Sequence, residues 1–213
     1  VKFLKTPEDI AYLDQYCADR FIDLVPNQNS FGHMYTWLRK PDFHHLGLFE
    51  TEDQVPSTLN PLLDESFEFV CNLYESLLPH FSSQYVNIGL DEAYGLGRYQ
   101  IEEYCKERGK DVVFMEWLNK LNDHITSTYG KKVMFWADMI YNYPQSYHMV
   151  PKDAVALEWG YEYIKIDFMA HGAYESDHHY DPAVTTGNQA YAQGMEFINS
   201  ESDGRMWINL SIA

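Results

Sequence analysis

The chain has 213 residues, 46% of them hydrophobic and 22% charged, with 32 acidic side chains against 15 basic ones. That length carries one substantial domain, and the composition is that of a soluble globular protein rather than a disordered one. The net charge of −17 argues against nucleic acid or anionic membrane as a partner, and no apolar run is long enough to span a bilayer. There is no signal-peptide pattern, the first residue is Val, and the native start is expected to lie upstream. Localisation stays undecided. Aromatic residues reach 16%, an excess that suits either a large core or a site stacking on sugar rings. Cys17, Cys71 and Cys105 have no metal-ligand spacing, and buried thiols are expected rather than a disulfide.

Thr6-Pro7-Glu8-Asp9 predicts a helix start, with a hydroxyl cap, Pro in the first turn and acids against the dipole. Ile10, Leu13 and Cys17 mark its expected buried stripe. Residues 21–25 read as a short strand ended by Pro26, and the polar loop from Asn27 to His33 follows. Its Asn, Gln, Ser and Gly suit a ligand-contacting loop or an ordinary turn. Residues 40–63, with Pro41, Pro56 and Pro61, read as an extended surface connection. Phe67, Val70, Cys71, Tyr74 and Leu78 have helical spacing, stopped by Pro79.

Val86, Ile88 and Leu90 then alternate with Tyr85, Asn87 and Gly89, the period of a strand. At its exit stand two adjacent carboxylates, Asp91 and Glu92. Neighbouring acids repel, so one is expected to resist ionising, which is what a general acid needs. The alternative is a turn cap beside a solvated acid. Two helices are predicted next, one near 101–108 ending at Gly109, the other with Phe114, Trp117, Leu118, Leu121 and Ile125 on one face, ending at Gly130. Strands are predicted at 132–136, 155–159, 163–168 and 205–210.

Strands alternating with helices indicate an α/β fold with a parallel sheet. Polar and aromatic residues gather at strand exits: His33, Asp91, Glu92, Trp136, Asp138, Trp159 and Tyr161. A (β/α)8 barrel brings such exits to one face, and a doubly wound sheet also binds ligands there. No glycine-rich phosphate fingerprint follows a strand, which argues against a nucleotide enzyme. His178 and His179 with Asp177 and Asp181 would be the material for a metal site, but adjacent loop histidines are more often solvated; no metal or other cofactor is expected.

Residues 86–92, ending in Gly-Leu-Asp91-Glu92, resemble the catalytic strand of the family 20 glycoside hydrolases, the β-N-acetylhexosaminidases. The usual pattern there is His-x-Gly-Gly-Asp-Glu, so Asn87 and Leu90 mark a divergent branch. Residues 25–33, 135–139 and 157–161 resemble the family's third-strand loop, fifth strand and sixth strand in the same order. The resemblance implies a TIM-type barrel and a substrate-assisted retaining mechanism that removes terminal N-acetylhexosamine. By it, Glu92 is the acid/base and Asp91 the ionised partner of the acetamido group. Asn87, Trp136, Asp138, Trp159, Tyr161 and His33 become substrate-side residues, with core packing the alternative for each Trp and a structural hydrogen bond for His33.

Beyond residue 162 the resemblance changes. Tyr163-Ile-Lys-Ile-Asp167, His171-Gly-Ala-Tyr-Glu175 and residues 185–191 are similar to the α-galactosidase-like barrel glycosidases, whose Lys-x-Asp strand carries the nucleophile. That implies Asp167 as an alternative nucleophile beside Lys165, and a hybrid chain with a family 20-like part over 1–162 and a second part over 163–213. About six strands are expected where a closed barrel has eight. The whole is read as one incomplete barrel domain whose open edges favour a homodimer. An inactive carbohydrate-binding relative is the remaining alternative.

Overall fold

A computed structural model describes residues 6–141 and 143–158, the strand backbones of 163–166 and 207–210, and residue 189. The chain divides into two units, Val1–Leu157 and Glu158–Ala213.

The first unit opens with helix α1, Pro7–Ala18, begun as the sequence predicts: Thr6 Oγ1 accepts the Asp9 amide at 3.2 Å. Its expected buried stripe is only half-buried, because the helix packs chiefly on the single 3-10 turn Leu78–His80. Residues 21–25 do not form the predicted strand. Phe21 has φ 60 and is fully exposed, and Pro26 has no amide to donate. The chain reaches the sheet just after this segment, at the parallel bridge between Asn27 and Asn87.

Helices α2 (Tyr35–Leu38) and α3 (Pro41–His44) follow the polar loop. Residues 40–63 differ from the expected surface connection. Leu46, Leu48 and Leu59 are buried in the core, and an antiparallel bridge joins Gly47 to Leu59. Three apolar side chains within a turn-rich stretch give it an anchor that periodicity alone does not reveal. Helix α4, Asp64–Leu77, runs into the 3-10 turn containing Pro79. Helix α5, Glu102–Arg108, and helix α6, Lys110–Tyr129, occupy the predicted positions. Gly130 closes α6 at φ 65, a left-handed cap that glycine adopts without a Cβ penalty.

Three parallel strands, β1 (Tyr85–Asn87), β2 (Lys132–Trp136) and β3 (Val155–Leu157), form a sheet in chain order. The register pairs Val86 with Val133, Asn87 with Met134, and Trp136 with Leu157. Alternation then gives the sheet two faces. Val86, Ile88, Val133 and Phe135 join the main hydrophobic core, with α6 packed on β2. Asn87, Met134, Trp136 and Leu157 are buried but stand outside that core, on the opposite face. Burial on both faces is the mark of a parallel α/β sheet.

In the second unit, β4 (Tyr163–Ile166) and β5 (Trp207–Leu210) pair in parallel, with Tyr163 opposite Trp207 and Ile166 opposite Leu210. Five strands in two sheets are thus described. Trp159, Tyr161, Asp167, the 171–191 motifs and the histidine pair at 178 and 179 lie outside the described residues.

Candidate active site

The carboxylate pair sits where β1 ends. Ile88 donates its amide to Met134 O and Trp136 donates to Gly89 O, both at 2.9 Å, so the ladder to β2 continues past the last formal strand residue. Gly89 (φ 73), Leu90 (φ 77) and Glu92 (φ 48) then take left-handed backbone conformations, which end the strand and turn the chain across its tip. Asn87 shapes this turn: its Oδ1 accepts the Gly89 amide at 2.9 Å, while its buried Nδ2 has no hydrogen-bond partner. Gly89 is needed for more than its φ, since a Cβ there would lie 2.6 Å from Asn29 Oδ1.

The polar loop of residues 27–33 is brought to the same place by the helices behind it. Trp117 Nε1 of α6 donates to Ser30 O at 3.1 Å, and the Ser30 hydroxyl pairs with the buried Tyr74 hydroxyl of α4. Phe31 is fully buried, its ring centroid 6.1 Å from those of Phe114 and Trp117. Burial pushes the Tyr74 phenol far above its ordinary range, so it stays a neutral hydrogen-bonding group. Gly32 passes so close to the dyad that a Cβ on it would lie 2.1 Å from Asp91 O.

That approach places His33, at φ 56, over both acids: Nε2 is 3.4 Å from Asp91 Oδ2 and 3.3 Å from Glu92 Oε2. The two carboxylates differ in exposure. The Asp91 side chain is 2% exposed and that of Glu92 32%. One is enclosed and held, the other open to an incoming group.

Asp138 stands on the turn after β2. Its Oδ2 accepts the Glu92 amide at 3.1 Å. Burial, aided by the Asp91 charge, raises the Asp138 carboxyl above the usual range, and the bond from the Glu92 amide acts against that rise. Tyr94, well exposed, hydrogen-bonds the Glu92 carboxylate, which is the main cause of its raised phenol pKa. Trp136 is almost fully enclosed on the non-core face of the sheet, the same face as Asn87.

Six of the predicted residues, His33, Asn87, Asp91, Glu92, Trp136 and Asp138, therefore belong to one neighbourhood around the exits of β1 and β2. Sequence reasoning passes over Tyr94 and Gly32. Tyr94 stands two places after the dyad, and Gly32 directly before His33, so local position was the only available signal. Among the described residues no group of three His, Cys, Asp or Glu side chains could hold a metal, and no helix is long and apolar enough to cross a membrane. The three cysteines are free; Cys105 is buried and the other two are half-buried, with burial pushing the Cys71 thiol up to about 11.

Comparison with known proteins finds hexosaminidases. Hexosaminidase D of Homo sapiens is 31% identical over 97 residues, covering 45% of this chain and 19% of that protein. Beta-hexosaminidase A of Caenorhabditis elegans is 28% identical over 125 residues, covering 55% of this chain and 21% of that one. The chain thus spans about a fifth of the length of the curated relatives it matches. A solved family 20 exo β-N-acetylglucosaminidase from Vibrio harveyi, in complex with N-acetylglucosamine, superposes with a TM-score of 0.59 at 22% identity, covering 74% of this chain and 26% of that one. That likeness shows the fold, an α/β architecture of TIM-barrel type. The model of the glycosyl hydrolase family 20 catalytic domain matches residues 2–203. The chain belongs to glycosyl hydrolase family 20.

Proposed function

We propose that this chain carries the acid/base centre of an exo-acting β-N-acetylhexosaminidase that removes terminal GlcNAc or GalNAc with retention. The observation that carries the reading is the unequal pair under one imidazole: Asp91 enclosed, Glu92 open, His33 Nε2 within 3.4 Å of both. Family membership supplies the substrate class. The acetamido oxygen of the substrate attacks the anomeric carbon while Glu92 passes its proton to the departing glycosidic oxygen. Asp91 stays ionised, accepts the acetamido N–H and stabilises the positive charge that grows there. Water then opens the oxazolinium ring, with Glu92 taking its proton back.

Trp136 walls the acetamido pocket or a sugar face, Asn87 and His33 provide polar contacts, and Trp159 and Tyr161 keep the substrate-side role that the family resemblance implies. The reading treats 1–213 as one domain of (β/α)8 barrel type with about six of the strands, residues 163–213 forming an α-galactosidase-like segment. The exposed apolar side chains of Tyr12, Tyr16, Phe21 and Ile22 favour a homodimer.

The test is hydrolysis of a chromogenic β-N-acetylglucosaminide by the purified chain, with an α-galactoside beside it. Glu92→Gln keeps the shape and removes the transferable proton, and turnover of the first substrate should fall by about 10²–10⁴-fold. Turnover of the α-galactoside would instead place the nucleophile at Asp167. A folded chain that hydrolyses neither would be a carbohydrate-binding relative.

A further inference from the structure

We propose that Asp138 is the positioning residue of Glu92, its Oδ2 holding the Glu92 amide and thereby the direction of the acid/base carboxyl. The inference rests on the reading of Glu92 as acid/base and assigns Asp138 work on the protein rather than on the sugar.

Glu92 stands at φ 48, a region that a residue with a Cβ avoids unless its surroundings hold it there. On its C-terminal side the chain closes a tight turn, Tyr94 N donating to Glu92 O at 2.7 Å. On its N-terminal side the amide is taken by Asp138 Oδ2 at 3.1 Å. The two residues meet because β1 and β2 are hydrogen-bonded neighbours and both chains turn at the same level: Trp136 N donates to Gly89 O, two residues before Asp138 and three before Glu92. An acceptor on a rigid strand end thus fixes an amide in a strained loop, and the adjoining side chain inherits that orientation.

The other oxygen, Oδ1, is buried without a hydrogen-bond partner. An unsatisfied oxygen in a buried carboxylate is costly, and Asp138 Oδ2 offsets part of that cost by accepting the Glu92 amide. An ionised acceptor makes the stronger, charge-assisted bond to an amide, and a neutral acceptor in the same place keeps a weaker one. The ionisable groups around Asp138 are Asp91, Glu92 and Tyr94, with His33 bridging the first two.

The test combines kinetics with NMR of the Glu92 amide in the full chain. Asp138→Ala should lower kcat on the order of a hundredfold with little change in KM, as misplacement of a reacting group does. Asp138→Asn, which keeps an accepting oxygen, should recover much of that loss. In the wild type the Glu92 amide resonance should move with pH as Asp138 titrates. It should shift upfield in Asp138→Ala, and in Asp138→Asn the Asp138 step should be absent. A raised KM with unchanged kcat would make Asp138 a substrate contact and overturn the proposal. So would a Glu92 amide indifferent to both pH and Asp138→Ala. If the wild-type chain hydrolyses no N-acetylhexosaminide, the reading of function fails, and the amide titration still decides on the clamp.

Discussion

Two loops meet at the carboxylate pair, and they are held by different forces. The loop of residues 27–33 is fastened by packing and by uncharged hydrogen bonds: Phe31 lies among the rings of Phe114 and Trp117, and Ser30 is hydrogen-bonded to Trp117 and Tyr74. The loop of residues 88–94 is shaped by polar contacts and backbone geometry, with three left-handed φ values, the Asn87 side chain on Gly89 and Asp138 on Glu92. The packed loop delivers one imidazole to a fixed point. The strained loop presents two acids whose protonation has to differ. Packing is indifferent to pH, whereas a charged clamp is not, so the part of the site that moves protons is the part exposed to electrostatic control.

Three changes probe that division, beyond the loss of turnover expected of Glu92→Gln. Trp117→Ala removes a buried ring and the donor to Ser30 O, and should destabilise the chain by about 3–5 kcal/mol, measured by denaturant unfolding. Activity should fall as well, because the anchor of the His33 loop goes with the ring. A Trp117→Ala protein of unchanged stability would mean that the loop is not held from behind.

Gly32→Ala comes next. Its Cβ would stand 2.1 Å from Asp91 O, a backbone atom that cannot swing aside, so the two loops must part. Overpacking of this kind costs about 1–3 kcal/mol, and KM and kcat for an N-acetylglucosaminide should both worsen. If turnover survives intact, the contact between His33 and the pair has no part in it.

The smallest effect concerns pH. Because the folded protein raises the Asp138 carboxyl, its contribution to stability is fully present below the ordinary carboxylate pKa and is lost as pH rises through the folded value. Asp138→Asn does not titrate. Thermal unfolding of the two proteins should therefore diverge in favour of Asp138→Asn as pH climbs from acid towards neutral. Parallel curves would show that the clamp carries no buried charge.

Much of this was legible in the chain itself. The Thr6 cap, the α6 stripe closed by Gly130 and the β2 run of apolar residues follow from local rules of capping and periodicity, and all three form as read. The acids at the β1 exit were equally visible, since alternation ends where they begin. Other features had no local signal. Residues 21–25 have strand-like composition, but a strand needs a partner, and the bridge to the sheet comes at Asn27, past Pro26. Residues 40–63 look like loop because their buried leucines answer to a distant core rather than to a period of their own.

The sequence by itself determined which residues could do chemistry here: a carboxylate pair, an imidazole before it, a further acid after the next strand. Only the tertiary structure decided that they are neighbours and unlike. Parallel pairing of β1 and β2 sets Asp138 beside Glu92, and the close pass of Gly32 sets His33 over both acids. The difference in burial between Asp91 and Glu92 arises from those long-range contacts, and no local pattern encodes the dielectric around a side chain.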